Sequence, residues 1–461
     1  MGCCASYPFG EKGIQKKKKK NSAEELRNAE AKNDALLPSV PGRMVTNGVG
    51  NAVVVHTQQG AKGINQDAVV VWEGFTAGGV RDDDNDDNDT VFCGVFDGHG
   101  PFGHLAAQRV RDSLPSKLIH YWHEQLAAIK SSKEEAATTT TQEKIPAAKT
   151  KQMVFEAWKK PHLAAYKTMD KELQLHPDID CFCSGTTSVT LLKQGQHLVI
   201  GNLGDSRAVM GTKDENGNLV PVQLTIDLKP NVPQEADRIR QCKGRIYALK
   251  NEPHLRRVWL PHEEAPGLAM SRTFGDFCLK DYGIIAVPEL SYRQLTDQDQ
   301  FVVLATDGIW DVLSNEEVME LIASAPTRAT AACTLVEGAI REWQLKYPSA
   351  KIDDCAVACI YLDDTTVPIS QNSKSKDEEA AVTVETANNN SQAVSDPTQL
   401  LKEEGANEEV REMPLQSKPV DLSSSGDDND HEEWLALEGI THANSLINLP
   451  TLLSQPNNPG S

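Results

Sequence analysis

The chain has 461 residues, with 46 Lys+Arg against 66 Asp+Glu and a formal net charge of −20. That length allows roughly two to four domains with sizeable cores, so no disulfide staple is required. No Lys/Arg surplus is available to track a phosphate backbone, which excludes dedicated nucleic-acid binding, and no run of eighteen apolar residues exists, which excludes a transmembrane helix. The 10 cysteines contain no C-x-x-C pair and follow no apolar signal segment. They read as reduced, mostly core residues rather than as a secreted disulfide framework or a zinc ribbon.

The opening Met1-Gly2-Cys3-Cys4-Ala5-Ser6 matches the pattern for myristoylation of Gly2 after removal of Met1. One myristoyl chain binds membrane only marginally, so Cys3 and Cys4 as palmitoylation sites and the run Lys16 to Lys20 supply the further attachments that stable anchoring needs. Residues 1–50 are therefore expected to form a flexible, basic, acylated arm. It would tether the protein to the cytoplasmic face of the plasma membrane, with cytosolic and nuclear pools as alternatives.

From about Asn51 to Leu362 short apolar runs alternate with turns, and a globular domain over 51–363 is expected. Asp67 opens the run Ala68 to Trp72. Asp82 to Asp89 is an acidic loop without the glycine and glutamate of a calcium-binding EF-hand, so it reads as a solvated insertion near 75–90. The run Val91 to Phe96 stops at Asp97-Gly98. Leu105 to Ile119 and Val154 to Leu173 have helix-compatible content, separated by a second surface insertion near 125–150 that includes Ser131 to Lys144.

Thr186 to Leu192, Gly195-Gln196 and His197 to Ile200 read as a hairpin. Asn202-Leu203-Gly204-Asp205 leads on to Ala208-Val209-Met210, and Asn216-Gly217-Asn218 turns the next pair. Strands joined by tight turns are antiparallel, which predicts a meander. Phe301 to Thr306 stops at Asp307-Gly308, and Asp353-Asp354 stands ahead of Cys355 to Ile360. The capping box Ser314 to Glu317 precedes helically spaced Val318, Leu321 and Ile322, and Ala331 to Leu345 reads as a further helix. The class is α+β, with helices packed on the outer faces of sheet.

Residues 364–461 differ in kind. Thr365 to Ser461 carries 17 Asp+Glu against 5 Lys+Arg. The portion to His431 has too few large apolar residues to fold and reads as disordered. Apolar content returns within 433–453, where Trp434 would anchor a docking segment; an unstructured terminus fits the composition equally well.

An Asp beside a Gly is ordinarily a turn residue. Five strand-end carboxylates at Asp67, Asp97, Asp205, Asp307 and Asp353 suggest more, because carboxylates converging on one sheet edge must be neutralised by metal or protons. An oxygen-only donor set selects Mg²⁺ or Mn²⁺ over zinc or copper. Two such ions suit phosphate-ester hydrolysis, and His99 at the rim could protonate a leaving alcohol. A competing signature, G-x-G-x-x-G at Gly98 to Gly103, suggests a dinucleotide site. It lacks a second parallel strand ending in an acidic residue, and it leaves the aspartates without a role.

The segments Phe96-Asp97-Gly98-His99-Gly100, Ser184-Gly185-Thr186-Thr187, Gly201 to Arg207, Leu268 to Asp276 and Ala305 to Asp311 together resemble the metal-dependent type 2C Ser/Thr protein phosphatases. The acylated start and the closing Trp434 to Leu449 segment resemble a plant subgroup. The resemblance implies two packed antiparallel β-sheets flanked by α-helices, an α-β-β-α sandwich with metals at one edge. Asp97 would bridge two Mg²⁺ or Mn²⁺ ions, the Gly98 carbonyl would bind the first, and Asp307 and Asp353, with the adjacent Asp354 as the alternative to Asp353, the second. Asp67 would hold metal-bound water, Asp205 and Asp311 would help bind a third, weaker ion, and His99 would be the general acid. A substrate flap would lie within about Pro230 to Phe277.

Two positions depart from that pattern. Lys62 stands where an arginine often clamps the substrate phosphate, and Gln66 where a glutamate often precedes Asp67. Lysine keeps the charge but not the bidentate fork, and Gln66 would remove a negative charge from the metal shell. The resulting expectation is a monomeric, membrane-tethered phosphatase removing phosphate from Ser/Thr of signalling proteins through a metal-bridged hydroxide. The alternative is a pseudophosphatase that binds phosphoproteins without turnover.

Overall fold

The computed structural model describes residues 43–45, 47–50, 52–75, 90–136, 147–250 and 252–362. The expected acylation sites Gly2, Cys3 and Cys4, most of the acidic insertion, and the tail with Trp434 lie outside them. In chain order the first strands are β1 (Arg43–Val45), β2 (Gly48–Val49), β3 (Val53–Gln58), β4 (Asp67–Glu73) and β5 (Thr90–His99). Two long helices follow, α1 (Gly103–Ala136) and α2 (Ala147–Leu175). Next come β6 (Gly185–Thr186), β7 (Ser188–Gln194), β8 (His197–Leu203), β9 (Arg207–Lys213) and β10 (Leu219–Gln223). The flap region contributes α3 (Pro233–Gln241), β11 (Arg245–Ala248), β12 (Arg256–Trp259) and β13 (Phe274–Gly275). The chain closes with β14 (Glu289–Gln294), β15 (Asp299–Ala305), α4 (Asp307–Trp310), α5 (Asn315–Ser324), α6 (Ala331–Lys346) and β16 (Cys355–Tyr361).

Two large antiparallel sheets result, beside a separate two-stranded pair β11-β12. One runs β1-β4-β5-β7-β8-β14, with β6 and β13 paired beside β5, and the other runs β10-β9-β15-β16-β3-β2. Their strands read as near-continuous apolar runs because both faces are buried, and successive side chains point to opposite faces. Val69, Val71, Val91, Cys93 and Val95 share an inner cluster with Val53, Val302, Leu304 and Ala356 of the other sheet. The alternate residues Ala68, Val70, Phe92 and Phe96 pack outward with Leu114, Trp158 and Met169 of α1 and α2. On the opposite outer face Val303 and Val357 pack with Val318, Leu335 and Trp343 of α5 and α6. The layering is thus the expected α-β-β-α sandwich.

Several expectations are corrected. The meander does not continue past Leu203: β8 lies in one sheet and β9 in the other, so Gly204-Asp205-Ser206 carries the chain across the sandwich. Gly204 takes φ 114° at this crossing, a conformation that favours glycine. β5 does not stop at Asp97 but runs through Gly98 to His99, where the short strand β6 extends its pairing. Residues 125–136 are helical rather than looped, because α1 continues to Ala136. The capping box is present in both arms, with Glu317 N donating to Ser314 Oγ and Ser314 N to Glu317 Oε2. No helix among the described residues is long and apolar enough to cross a membrane.

Candidate metal centre and its supporting groups

Asp67 and Asp97 are direct cross-strand partners of β4 and β5, so the pleat places them at the same end of one sheet. Thr306 and Asp307 bring the other sheet to that point, since Thr306 Oγ1 donates to Asp67 Oδ2 at 2.7 Å. Thr306 also accepts from Ala356 N at 3.0 Å, tying the approach to Asp307 to the start of β16. The Ser184-Gly185-Thr186-Thr187 segment has a clear structural task. Thr187 Oγ1 accepts from Asp97 N at 3.1 Å and Thr187 N donates to Asp97 O at 2.9 Å, holding the backbone of Asp97 on both sides.

The paired aspartates at 353 and 354 separate cleanly. Asp354 accepts from Gly60 N at 2.8 Å and from Gln66 N at 2.9 Å, so its carboxylate pins the loop before β4. Asp353 instead forms an ion pair with Lys62. Lys62 is therefore placed at the carboxylate cluster itself rather than apart from it. Gln66 also takes a different role from the expected one: its Nε2 donates to the carbonyl of Gly100 at 2.8 Å, joining the loop before Asp67 to the loop after His99. A glutamate there would offer no donor to that carbonyl. Gly98 is required sterically, because a Cβ would collide with the carbonyl oxygens of Gly103 and Gln66.

The cluster is electrostatically under-neutralised. Burial, followed by the charges of Asp307, Asp67, Asp353 and Asp205, holds the carboxyl of Asp97 well above the ordinary range. Burial also raises Asp67, against the hydrogen bond from Thr306, with Asp354, Asp353 and Asp307 adding to the rise. Asp353 is pushed up to about 7 by burial and by Asp307, with Lys62 opposing. At the far side Lys229 lies 3.5 Å from Asp205 and 3.8 Å from Asp311. Burial still raises Asp205 to about 6 against the pull of Lys229, and its Oδ1 is buried without a hydrogen-bond partner.

The structure thus gathers Asp67, Asp205, Asp307 and Asp353 around Asp97, each acting electrostatically on its carboxylate, with Lys62 paired to Asp353 and Asp311 near Lys229. Among the described residues no three His, Cys, Asp or Glu side chains stand converged as a ready-made cage. The donor chemistry nonetheless fits hard divalent cations: oxygen ligands, an orphaned carboxylate oxygen, and like charges that added positive charge would relieve.

His99 is buried, and its Nε2 stands 2.5 Å from Asp276 Oδ2. Burial lowers the imidazole's proton affinity, but the charge and hydrogen bond of Asp276 more than offset this and the net shift is upward. Asp276 was not legible as a functional partner, since it lies 177 residues away in sequence. Two local features mark its position. Asp276 itself has φ 51°, unusual for a residue with a side chain. Gly185 leaves the space, because a Cβ there would stand 2.5 Å from Asp276 Oδ2 and 3.0 Å from His99 Nε2. The dinucleotide reading fails on topology, as the strand before Gly98-x-Gly100 has only antiparallel neighbours.

The flap region is held by a buried ionic knot that the sequence did not reveal. Glu235 accepts from Arg272 Nη2 at 2.7 Å, from Arg238 Nη1 at 2.7 Å and from Ser271 Oγ at 2.6 Å. Burial alone would raise Glu235, but Arg272 and Arg238 together hold it below the usual carboxylate range.

The family description protein phosphatase 2C matches residues 52–343. The chain is 46% identical over 463 residues to "Probable protein phosphatase 2C 66" of Oryza sativa subsp. japonica, covering 91% of this chain and 84% of that protein. It is 48% identical over 457 residues to "Probable protein phosphatase 2C 33" of Arabidopsis thaliana, covering 90% and 89% respectively. Among solved structures, a serine-threonine phosphatase 2C from Toxoplasma gondii superposes with TM-score 0.56 at 25% identity, covering 70% of this chain and 99% of that one.

Proposed function

The chain belongs to the protein phosphatase 2C family of Ser/Thr phosphatases, and on that premise we propose that it is a Mg²⁺- or Mn²⁺-dependent enzyme acting on phosphoserine and phosphothreonine of signalling proteins. The observation that supports this is the under-neutralised group of Asp67, Asp97, Asp205, Asp307 and Asp353, drawn from both sheets. Asp97 and the Gly98 carbonyl, with Asp307 and Asp353, would hold two ions; Asp67 would orient their waters, and Asp205 with Asp311 would hold a third, weaker one. When bound, the cations supply charge neutralisation of the phosphate and a water of lowered pKa.

The remaining work falls to side chains of this chain. His99 holds a proton on the imidazole for the departing serine or threonine oxygen, and Asp276 fixes the ring and favours its protonated form. Lys62 brings positive charge to the phosphate's side of the cluster as a point charge rather than a fork. Purified protein should hydrolyse a phosphopeptide with added Mg²⁺ or Mn²⁺ and stop on chelation. Equal turnover with and without divalent cation would overturn the reading.

The N-terminal motif supports a membrane tether through Gly2, Cys3, Cys4 and the lysine run, acting on substrates at the plasma membrane's cytoplasmic face. Gly2→Ala should release the protein from the membrane fraction. An unchanged distribution would remove the tether from the proposal.

A further inference from the structure

Cys183 and Cys278 belong to segments 95 residues apart in sequence, yet their Sγ atoms stand 3.3 Å from each other, and both are thiols. The backbone aligns the two segments: Asp276 N donates to Ser184 O at 2.9 Å and Cys278 N to Phe182 O at 3.0 Å. Cys183 is partly exposed, whereas Cys278 is buried in the small apolar cluster of the flap region with Val258, Met270 and Leu279.

We propose that Cys183 and Cys278 form a peroxide-oxidised dithiol site whose closure to a disulfide lowers phosphatase turnover. In the first step the Cys183 thiolate attacks one oxygen of a hydroperoxide; an S–O bond forms, the O–O bond breaks, and hydroxide leaves. The Cys278 sulfur then attacks the sulfenic sulfur, an S–S bond forms, and the sulfenic oxygen departs as water with the Cys278 proton. Two thiols and one hydrogen peroxide thus give one disulfide and two waters, with each sulfur losing one electron.

The thiols are not equivalent. The hydrogen bond with Cys278 draws the Cys183 thiol down from its ordinary value, against burial and the charges of Asp276 and Asp180. Burial instead pushes Cys181 up to about 12, with Asp276 and Asp170 adding. Burial likewise pushes Cys359 up to about 12. Cys183 therefore combines access, thiolate character and a resolving partner, the features that select a reactive cysteine.

Closure reaches the site through short connections. A disulfide requires a sulfur separation of about 2.05 Å, so the pair must draw in from 3.3 Å. Cys278 lies two residues after Asp276, which contacts His99, while Cys183 precedes Ser184, whose hydroxyl accepts from Phe102 N at 3.0 Å. Displacements on the order of 1 Å at a catalytic group can lower rates by as much as about 100-fold.

The test uses the full chain with Mg²⁺ or Mn²⁺, treated with hydrogen peroxide and digested without reductant. The expected result is a Cys183–Cys278 cross-linked peptide, turnover reduced about tenfold or more, and recovery on adding dithiothreitol. Cys183→Ser should neither cross-link nor lose turnover, and in Cys278→Ala, Cys183 should stop at a sulfenic acid trapped by dimedone. Exposed Cys242 serves as the internal comparison. Both thiols remaining alkylatable after Cys242 has been oxidised would overturn the proposal, as would a cross-link that leaves turnover unchanged. The turnover readout rests on the role proposed for His99, whereas the cross-link does not; His99→Asn retaining full turnover would remove that role alone.

Discussion

The carboxylate cluster and the flap knot both bury acidic side chains, but they balance charge in opposite ways. Glu235 sits between two arginines and a serine hydroxyl, each within hydrogen-bond distance, so its ionised form is favoured. Asp67, Asp97, Asp205 and Asp353 are instead raised by burial together with neighbouring carboxylates, which favours their protonated forms, and Asp307 alone of the five is shifted down. A satisfied buried charge holds one arrangement in place, whereas an under-neutralised group stores binding capacity for cations. The comparison separates a structural carboxylate from those proposed to bind cations without reference to their surroundings in sequence.

The sharpest way to break this comparison is to neutralise one member of each region. Asp97→Asn should lower turnover about 1000-fold or more, equivalent to roughly 4 kcal/mol of barrier, while leaving the cation-free protein's melting temperature unchanged or raised. A large drop in melting temperature would show that Asp97 is structural. Glu235→Gln should do the reverse, destabilising the fold by about 3–5 kcal/mol by leaving buried arginines uncompensated. Urea unfolding monitored by tryptophan fluorescence would measure it, and a loss under about 1 kcal/mol would contradict the knot's role.

His99→Asn should lower turnover of a phosphopeptide by about 100-fold but spare an aryl phosphate, whose leaving group needs little protonation. Equal losses on both substrates would argue against proton donation.

The two regions should also respond to pH with opposite signs. The folded value of Glu235 is depressed, so its contribution is present above the unfolded range and is lost as pH falls below it. The folded value of Asp353 is raised to about 7, so the folded state binds more protons than the unfolded one between about 4 and 7. Its contribution is full below that window and is lost as pH rises through it. Cation-free protein should therefore lose stability toward neutral pH, and saturating Mg²⁺ should flatten that limb; a limb unaffected by Mg²⁺ would separate Asp353 from cation binding. The smallest effect is expected from Gln66→Glu, which removes the donor to Gly100 and should destabilise the loop pair by roughly 1 kcal/mol. Unchanged stability would show that this hydrogen bond is dispensable.

Much of the fold was legible because it is local. Short apolar runs on either side of the turn at Gly195-Gln196 defined β7 and β8, and Ser314 with Glu317 defined the start of α5. The strand-end aspartates were legible as chemistry because a repeated carboxylate at strand ends is chemically expensive unless something neutralises it. Which sheet β9 joins was not legible, since a tight turn at Gly204 serves a hairpin and a crossover equally.

The sequence by itself determined the types of its strongly patterned elements, such as β7, β8, α5 and α6, the set of acidic residues and the basic and acidic character of the two ends, because period, turn chemistry and charge are properties of neighbouring residues. Only tertiary structure decided that Asp354 pins a loop while Asp353 faces Lys62, that Gln66 donates to Gly100, and that His99 meets Asp276. The same packing set Cys183 beside Cys278. Each of these choices depends on the direction of a side chain within packed sheets and loops, and that direction is fixed by distant strands rather than by adjacent residues.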